Sequence, residues 1–297
     1  DKKNKKIIYY GLDKMNKDIN ELDKISDDYI VEELIDGVKI GVYYYNDKWN
    51  KCTNKKIYAL NSIWHGPNFD ELSEECFNKL DFSKLNTKCC YTFVIQHSKC
   101  LNYIKYTEPN FVLASCRLLD NSSQNYLNEI NCDLDFPKPE KYNLSLEEIK
   151  NNLKNKNISG YILNINGYRY RLESNIFKKS VELKGNERNM KIRYLKIRNN
   201  TELKDDFMLF YPELLQLINE IEYDIKYLSK TILYQYINRF IKKQENIINP
   251  RFKKIIYEIH TNYINTREIT TYEKVYNKVS NSDFKRIVFL LNTIKFN

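Results

Sequence analysis

The chain has 297 residues, 42% of them hydrophobic and 14% aromatic, enough for one large or two medium folded domains, which argues for a globular protein and against a wholly disordered one. Its formal charge of +9 suits either a polyanionic partner or a well-solvated surface, and the excess of Asn, Lys, Ile and Tyr is also what an AT-rich genome produces. No apolar run approaches the roughly 20 residues of a membrane span, no signal peptide is visible, and seven cysteines without a Cys-x-x-Cys pair argue for reduced thiols in the cytoplasm.

In chain order, Val38 to Tyr45 is a β-rich run that ends at Asn46-Asp47. Tyr91 to Gln96 predicts a second strand, followed by a turn and then the run Leu101 to Tyr106, and Phe111 to Cys116 predicts a third. Ser145-Leu146-Glu147-Glu148 is a capping box opening a helix to about Leu153. Gly160 to Ile165 and Tyr168 to Leu172 flank Asn166-Gly167, a strong hairpin signal. Past residue 200 the pattern turns helical. Leu214, Ile218, Ile221, Ile225, Leu228 and Ile232 form one apolar stripe at helical spacing. Two further helices are predicted over Arg251–Ile264, started by Pro250, and over Thr271–Ile294. The expected organisation is therefore an α+β domain over 1–200 and a small α-helical domain over 201–297.

Charge is unevenly spread. Between Arg169 and Arg198 ten Lys/Arg stand against Glu173, Glu182 and Glu187, a local balance of +7. A second basic cluster runs Arg239, Lys242, Lys243, Arg251, Lys253 and Lys254, relieved by Glu245. Such clusters fit a polyanion-binding face, because contacts to phosphates release counterions; a solvated face reads equally well from charge alone. Only three histidines are present (His65, His97 and His260), and with the irregular cysteine spacing they make a metal site unexpected. His97 is read as structural, and Trp49 and Trp64 as core or rim anchors.

Five short strings occur in a telling order: Glu33-Leu34-Ile35-Asp36-Gly37, Thr53-Asn54-Lys55-Lys56, the strand YTFVIQ ending at Gln96, Ser159-Gly160-Tyr161-Ile162-Leu163, and Arg171-Leu172-Glu173. In order and spacing, over roughly residues 30–200, they resemble the nucleotidyltransferases of the bacteriophage T4 RNA ligase 1 type. The resemblance implies an ATP-grasp-like RNA/DNA ligase domain with antiparallel sheets. It also implies a chemistry in which a lysine of a Lys-x-Asp-Gly motif becomes covalently adenylylated. That lysine's place is held by Leu34, which has no lone pair to attack with. Gln96 and Ser159 stand where the family has glutamates that serve metal and nucleotide. Glu173 stands where a second phosphate-binding lysine belongs, reversing the charge.

On this resemblance the chain is a ligase-like protein without catalytic residues, metal or cofactor. Lys39 lies five residues past Leu34, beyond the turn and on the strand, too displaced to be expected to replace the missing nucleophile. The residues retained at the vestigial pocket are Asp36, Gly37, Thr53, Phe93 and Gly160, although an aromatic in a strand, such as Phe93, reads more simply as core. The expected RNA- or phosphate-binding residues are Lys55, Lys56, Arg169, Arg171, Lys178, Lys179 and Arg193; the Tyr168–Arg171 alternation fits base stacking beside phosphate contact, and equally a two-faced strand. The expected partner is RNA, tRNA or RNA ends foremost, with a tRNA-cleaving ribonuclease toxin as a second partner if the protein confers immunity. The helical region loosely resembles, through Tyr211-Pro212-Glu213, the extra C-terminal domain that contributes to tRNA recognition in that family. The competing readings are a protein-binding regulatory subunit with a filled pocket, and an active ligase with an unconventional nucleophile.

Overall fold

The computed structural model describes residues 7–16, 28–53, 56–57, 68–119, 134–187, 189–245 and 248–294. Lys55, Trp64 and His65, singled out above, lie outside them. The chain falls into two compact units, residues 1–182 and 183–297, and the division lies N-terminal to the one placed near residue 200 from the change in periodicity.

The first unit holds two antiparallel four-stranded sheets. Strands β1 (Ile30–Glu33), β6 (Lys141–Tyr142), β7 (Gly160–Ile165) and β8 (Tyr168–Glu173) form one, in the order β6-β1-β7-β8. Strands β2 (Val38–Tyr45), β3 (Lys48–Cys52), β4 (Cys89–Gln96) and β5 (Asn110–Leu118) form the other, in the order β3-β2-β4-β5. Two tight turns set the registers. Asn46 and Asp47 both have positive φ, 52° and 57°, and so do Asn166 and Gly167, 50° and 81°. These are the backbone angles of a two-residue turn whose twist matches paired strands, and Asn, Asp and Gly tolerate them best.

Alternation along the strands makes two cores. Ile40, Val42, Tyr91, Phe93, Ile95 and Phe111 face helix α1 (Phe69–Phe77), which contributes Leu72, Cys76 and Phe77. Val31, Tyr161, Leu163 and Leu172 pack with Ile149 and Leu153 of helix α2 (Leu146–Asn155). The capping box that starts α2 is formed in full, Ser145 with Glu148. Every residue of β4 is buried, because its second face is covered too.

The stretch Leu101–Tyr106 is not a strand. Asp36 holds it instead: the Ile104 amide donates to Asp36 Oδ2 at 3.0 Å, and the Tyr106 side-chain hydroxyl donates to the Asp36 carbonyl at 2.8 Å. Helix α3 (Asn175–Lys184) follows β8.

The second unit is helical: α4 (Met190–Ile197), α5 (Thr201–Phe210), α6 (Leu215–Tyr236), α7 (Lys253–Thr266), α8 (Tyr272–Ser280) and α9 (Phe284–Ile294). The stripe read from sequence is the buried face of α6, with Ile218, Ile221, Ile225, Leu228 and Ile232 at 3% exposure or less. The helix expected over Thr271–Ile294 is two helices. Helix α8 ends at Ser280, and Asp283 starts α9 by accepting from the Lys285 amide through Oδ1 at 2.9 Å, the local bonding by which Asp, Asn and Ser favour helix ends.

One buried polar node ties this unit together. Arg198, 4% exposed at its side chain, grips Glu222 of α6 through Nε at 3.0 Å and Nη2 at 2.8 Å. Its Nη1 donates to Ser280 Oγ at 2.8 Å and to the Ser280 carbonyl at 3.1 Å, while the Tyr194 hydroxyl donates to Glu222 at 2.7 Å.

Candidate anion-binding cavity

Glycine at position 41, inside an apolar strand, is where the site begins. A side chain there would run into the ring of Tyr9, whose atoms lie 2.3–2.6 Å from the place a Cβ would take. Glycine in a strand marks a close approach, and here the visitor is the segment 7–16. This segment covers the face of the β2–β4 sheet opposite α1. Tyr9 Oη and Thr92 Oγ1 are 3.0 Å apart, Cys90 Sγ donates to the Tyr10 carbonyl at 3.3 Å, and Arg117 Nη2 meets Asp13 Oδ2 at 2.7 Å. At its far end Asn16 joins β8: its amide donates to the Arg169 carbonyl at 2.9 Å, and its carbonyl accepts from the Arg171 amide at 2.8 Å. One segment thus spans both sheets.

Beneath it lies a cavity of about 990 Å³. Its wall carries four cations, Lys14, Lys39, Lys56 and Arg171, against one carboxylate, Asp13, which is engaged by Arg117. Tyr9, Tyr10 and Tyr43 also line it, with Tyr43 almost wholly buried against Tyr9. The volume and the few polar groups among apolar surface are what a nucleotide-sized anion needs. Burial pushes the Tyr9 phenol up, and burial beside Cys90 pushes the Cys52 thiol up to about 12, so neither ionises near neutral pH.

The residues read from sequence divide between this cavity and its surroundings. Thr53, Lys56 and Arg171 line it. Leu34 does not; it is 5% exposed in an apolar cluster with Ile162 and Phe177, flanked by Met15 and Tyr103. Its amide donates to the Gly160 carbonyl at 3.1 Å. Gly160 has φ +143°, and a Cβ on it would sit 1.9 Å from the Leu172 carbonyl oxygen, so strand proximity alone demands glycine there. Gly37 is similarly tight: a Cβ on it would sit 2.5 Å from the Ile95 carbonyl oxygen. Asp36 is spent on the 101–106 loop.

Phe93, fully buried, faces the other way, into the α1 core between Phe77 and Phe111. Gln96 is buried, accepting from Asn110 at 3.3 Å, and the Ser159 carbonyl accepts from the Ser174 amide at 3.0 Å. His97 has its Nδ1 occupied as acceptor from the Lys99 amide at 3.0 Å and its Nε2 2.7 Å from Glu75, a structural arrangement.

Charge on β8 alternates onto one face. Arg169 meets Glu32 at 3.3 Å and is 8% exposed at its side chain; Arg171 Nε meets Glu173 Oε1 at 2.7 Å. Glu173 therefore offsets Arg171. Lys178 and Lys179 lie on α3, Lys179 exposed. In the second unit Arg193 Nε donates to the Leu183 carbonyl at 2.6 Å, capping a helix end. Among the described residues no group of three His, Cys, Asp or Glu is placed to hold a metal, and no helix is long and apolar enough to cross a membrane. Sequence reading missed the covering segment, and it weighed Lys39 only as a substitute nucleophile. Gly41 was the signal that could have announced the cover.

No protein-family model and no curated protein sequence matches the chain. Among solved structures it is similar to a protein from Aquifex aeolicus named as a candidate ATP-dependent DNA ligase, with a TM-score of 0.45 and 12% identity over 73% of this chain and 69% of that one.

Proposed function

We propose that this protein is a degenerate relative of the RNA ligase-type nucleotidyltransferases that binds RNA and forms no covalent nucleotide intermediate. The observation that carries the reading is Leu34. The side chain at the nucleophile's position is packed among Ile162 and Phe177, while the neighbouring cavity keeps a cationic, tyrosine-lined wall. Loss of the amine removes bond-making; the retained charge supports a phosphate-bearing ligand. tRNA or RNA ends are the proposed ligands, and shielding tRNA from a ribonuclease toxin is the proposed role.

Binding of labelled tRNA and of single-stranded RNA to the full chain, followed by fluorescence anisotropy over a range of salt, tests this. Contact with several phosphates makes the log of the affinity fall with log salt at a slope of about −0.7 to −0.9 per phosphate. Absence of binding at low salt would overturn the RNA reading in favour of a protein-binding subunit. Co-expression with an anticodon nuclease tests the role: unchanged toxicity and tRNA cleavage would count against immunity.

A further inference from the structure

Helix α6 carries a second stripe, on the side away from its buried face. Gln216, Glu220, Tyr223, Tyr227, Lys230 and Tyr234 step by four, three, four, three and four. Each stands two residues past a member of the stripe that begins at Leu214, and therefore on the opposite side of the helix. All six are exposed, Tyr223 by 68%, Tyr227 by 52% and Tyr234 by 64%. Among the described residues, the three tyrosine hydroxyls and the Lys230 ammonium make no hydrogen bond or ion pair. The Tyr223 and Tyr227 rings stack on each other, with centres 6.5 Å apart and planes 10° from parallel. A single exposed tyrosine needs no partner. Three in register along about 27 Å of one helix make a continuous apolar edge of the kind that marks an interaction surface.

Charge selects what covers it. The stripe holds one acid, Glu220, and one base, Lys230, so it is neutral overall, and a phosphate backbone laid along it would meet a carboxylate. A second copy of the helix fits better. In an antiparallel pair about a two-fold axis beside Ile225, residues equally far to either side of the axis come together. Tyr223 then meets the partner's Tyr227, Glu220 meets the partner's Lys230, and Gln216 meets the partner's Tyr234, each contact occurring twice. A parallel pair would instead set Glu220 against Glu220 and Lys230 against Lys230, which repels. The alternating spacing of four and three is that of a two-helix seam crossing at roughly 20°.

We propose that the exposed face of α6 is a self-association surface, through which two copies of this chain pair antiparallel about Ile225. The tyrosines of both copies would together bury roughly 700 Å², at the low end for specific interfaces, which makes the dimer reversible, with a dissociation constant on the order of 10 µM. The glutamate–lysine contacts at the rim fix direction and register more than they add affinity.

Sedimentation velocity of the full chain, treated with nuclease, from about 1 to 200 µM tests the pairing, and the wild-type chain is expected to pass reversibly from monomer to dimer across that range. Glu220→Lys and Lys230→Glu each set like charges against one another at two points, and each should weaken self-association at least tenfold, that is, by roughly 1.4 kcal/mol or more. Mixed in equal amounts, the two variants should form a heterodimer at close to the wild-type affinity, because each supplies the charge that the other lacks. The doubly exchanged Glu220→Lys/Lys230→Glu chain should recover in the same way. Tyr227→Ser, verified as folded by circular dichroism, should stay monomeric. A wild-type chain that is monomeric to about 200 µM overturns the proposal. So does a dimer that ignores the single reversals or is not restored by mixing them. Weakened RNA binding in Tyr227→Ser, with a wild-type chain that never dimerises, would assign the stripe to RNA instead.

Discussion

Replacing Arg198 with methionine should cost the helical unit more than any single apolar truncation of comparable size. The substitution keeps most of the side-chain volume but removes five contacts: two to Glu222, two to Ser280 and one to Asn199 Oδ1 at 3.1 Å. Glu222, 23% exposed at its side chain, then keeps only the Tyr194 hydroxyl as a donor from this node. Stranding one partner of a buried pair costs about 3–5 kcal/mol, whereas replacing both partners by apolar groups is close to neutral. With a urea dependence of about 1–3 kcal/mol per molar, that loss moves the unfolding midpoint by about 2 M. The assay is urea unfolding followed by circular dichroism at 222 nm, which reports the helices.

Arg198→Met/Glu222→Leu should recover most of the loss. The pH dependence has a definite sign. Burial opposes ionisation of Glu222, but the bonds from Arg198 and Tyr194 outweigh it and hold its pKa below the ordinary carboxylate value. The stabilisation is therefore fully present above the unfolded pKa and is lost as pH falls through the folded one. A single-mutant loss under about 1 kcal/mol, or one independent of pH down to acid, would refute the reasoning.

Two glycines should respond very differently to alanine. Gly160→Ala meets the Leu172 carbonyl at 1.9 Å and should destabilise the first unit by more than about 3 kcal/mol, while Gly167→Ala meets nothing within 4 Å and should cost only the roughly 1 kcal/mol of its positive φ. Tryptophan emission, excited selectively over tyrosine, reads this unit alone, since both tryptophans, Trp49 and Trp64, lie in residues 1–182. The six described cysteines are all buried, and burial, with the neighbouring Cys100 thiol, also pushes Cys76 up to about 12. Peptide mapping after iodoacetamide at pH 8 should find these six unmodified in the native chain and modified after unfolding; rapid native alkylation of Cys52 or Cys76 would contradict the packing.

Legibility in the sequence followed the range of the interactions. The β7–β8 hairpin, α2 and α6 could be read because each is specified by neighbours: Asn166-Gly167, the Ser145–Glu148 box, and a stripe stepping by three and four. Strand β1 could not, because of Ile30-Val31-Glu32-Glu33 only Val31 is buried and the pairing partners come from residues 141–142 and 161–164. The segment 101–106 had strand composition, but Asp36, 68 residues away from Ile104, claims its backbone. The site shows the same split. Thr53, Lys56 and Arg171 could be named from the sequence, but the cavity they line depends on Tyr9 reaching Thr92 across 83 residues, a contact no local pattern encodes. Arg169 and Arg171 could be counted as positive charge; that Glu32 and Glu173 offset them required the fold.

The central claim is that a leucine packed at the nucleophile's position ends bond-making while ligand binding persists. Incubating the full chain with α-radiolabelled ATP or GTP and a divalent metal, then separating it under denaturing conditions, tests that most directly. No label should remain on the protein under conditions where RNA binding is measurable; a covalent label mapped to Lys39 or any other lysine would contradict it.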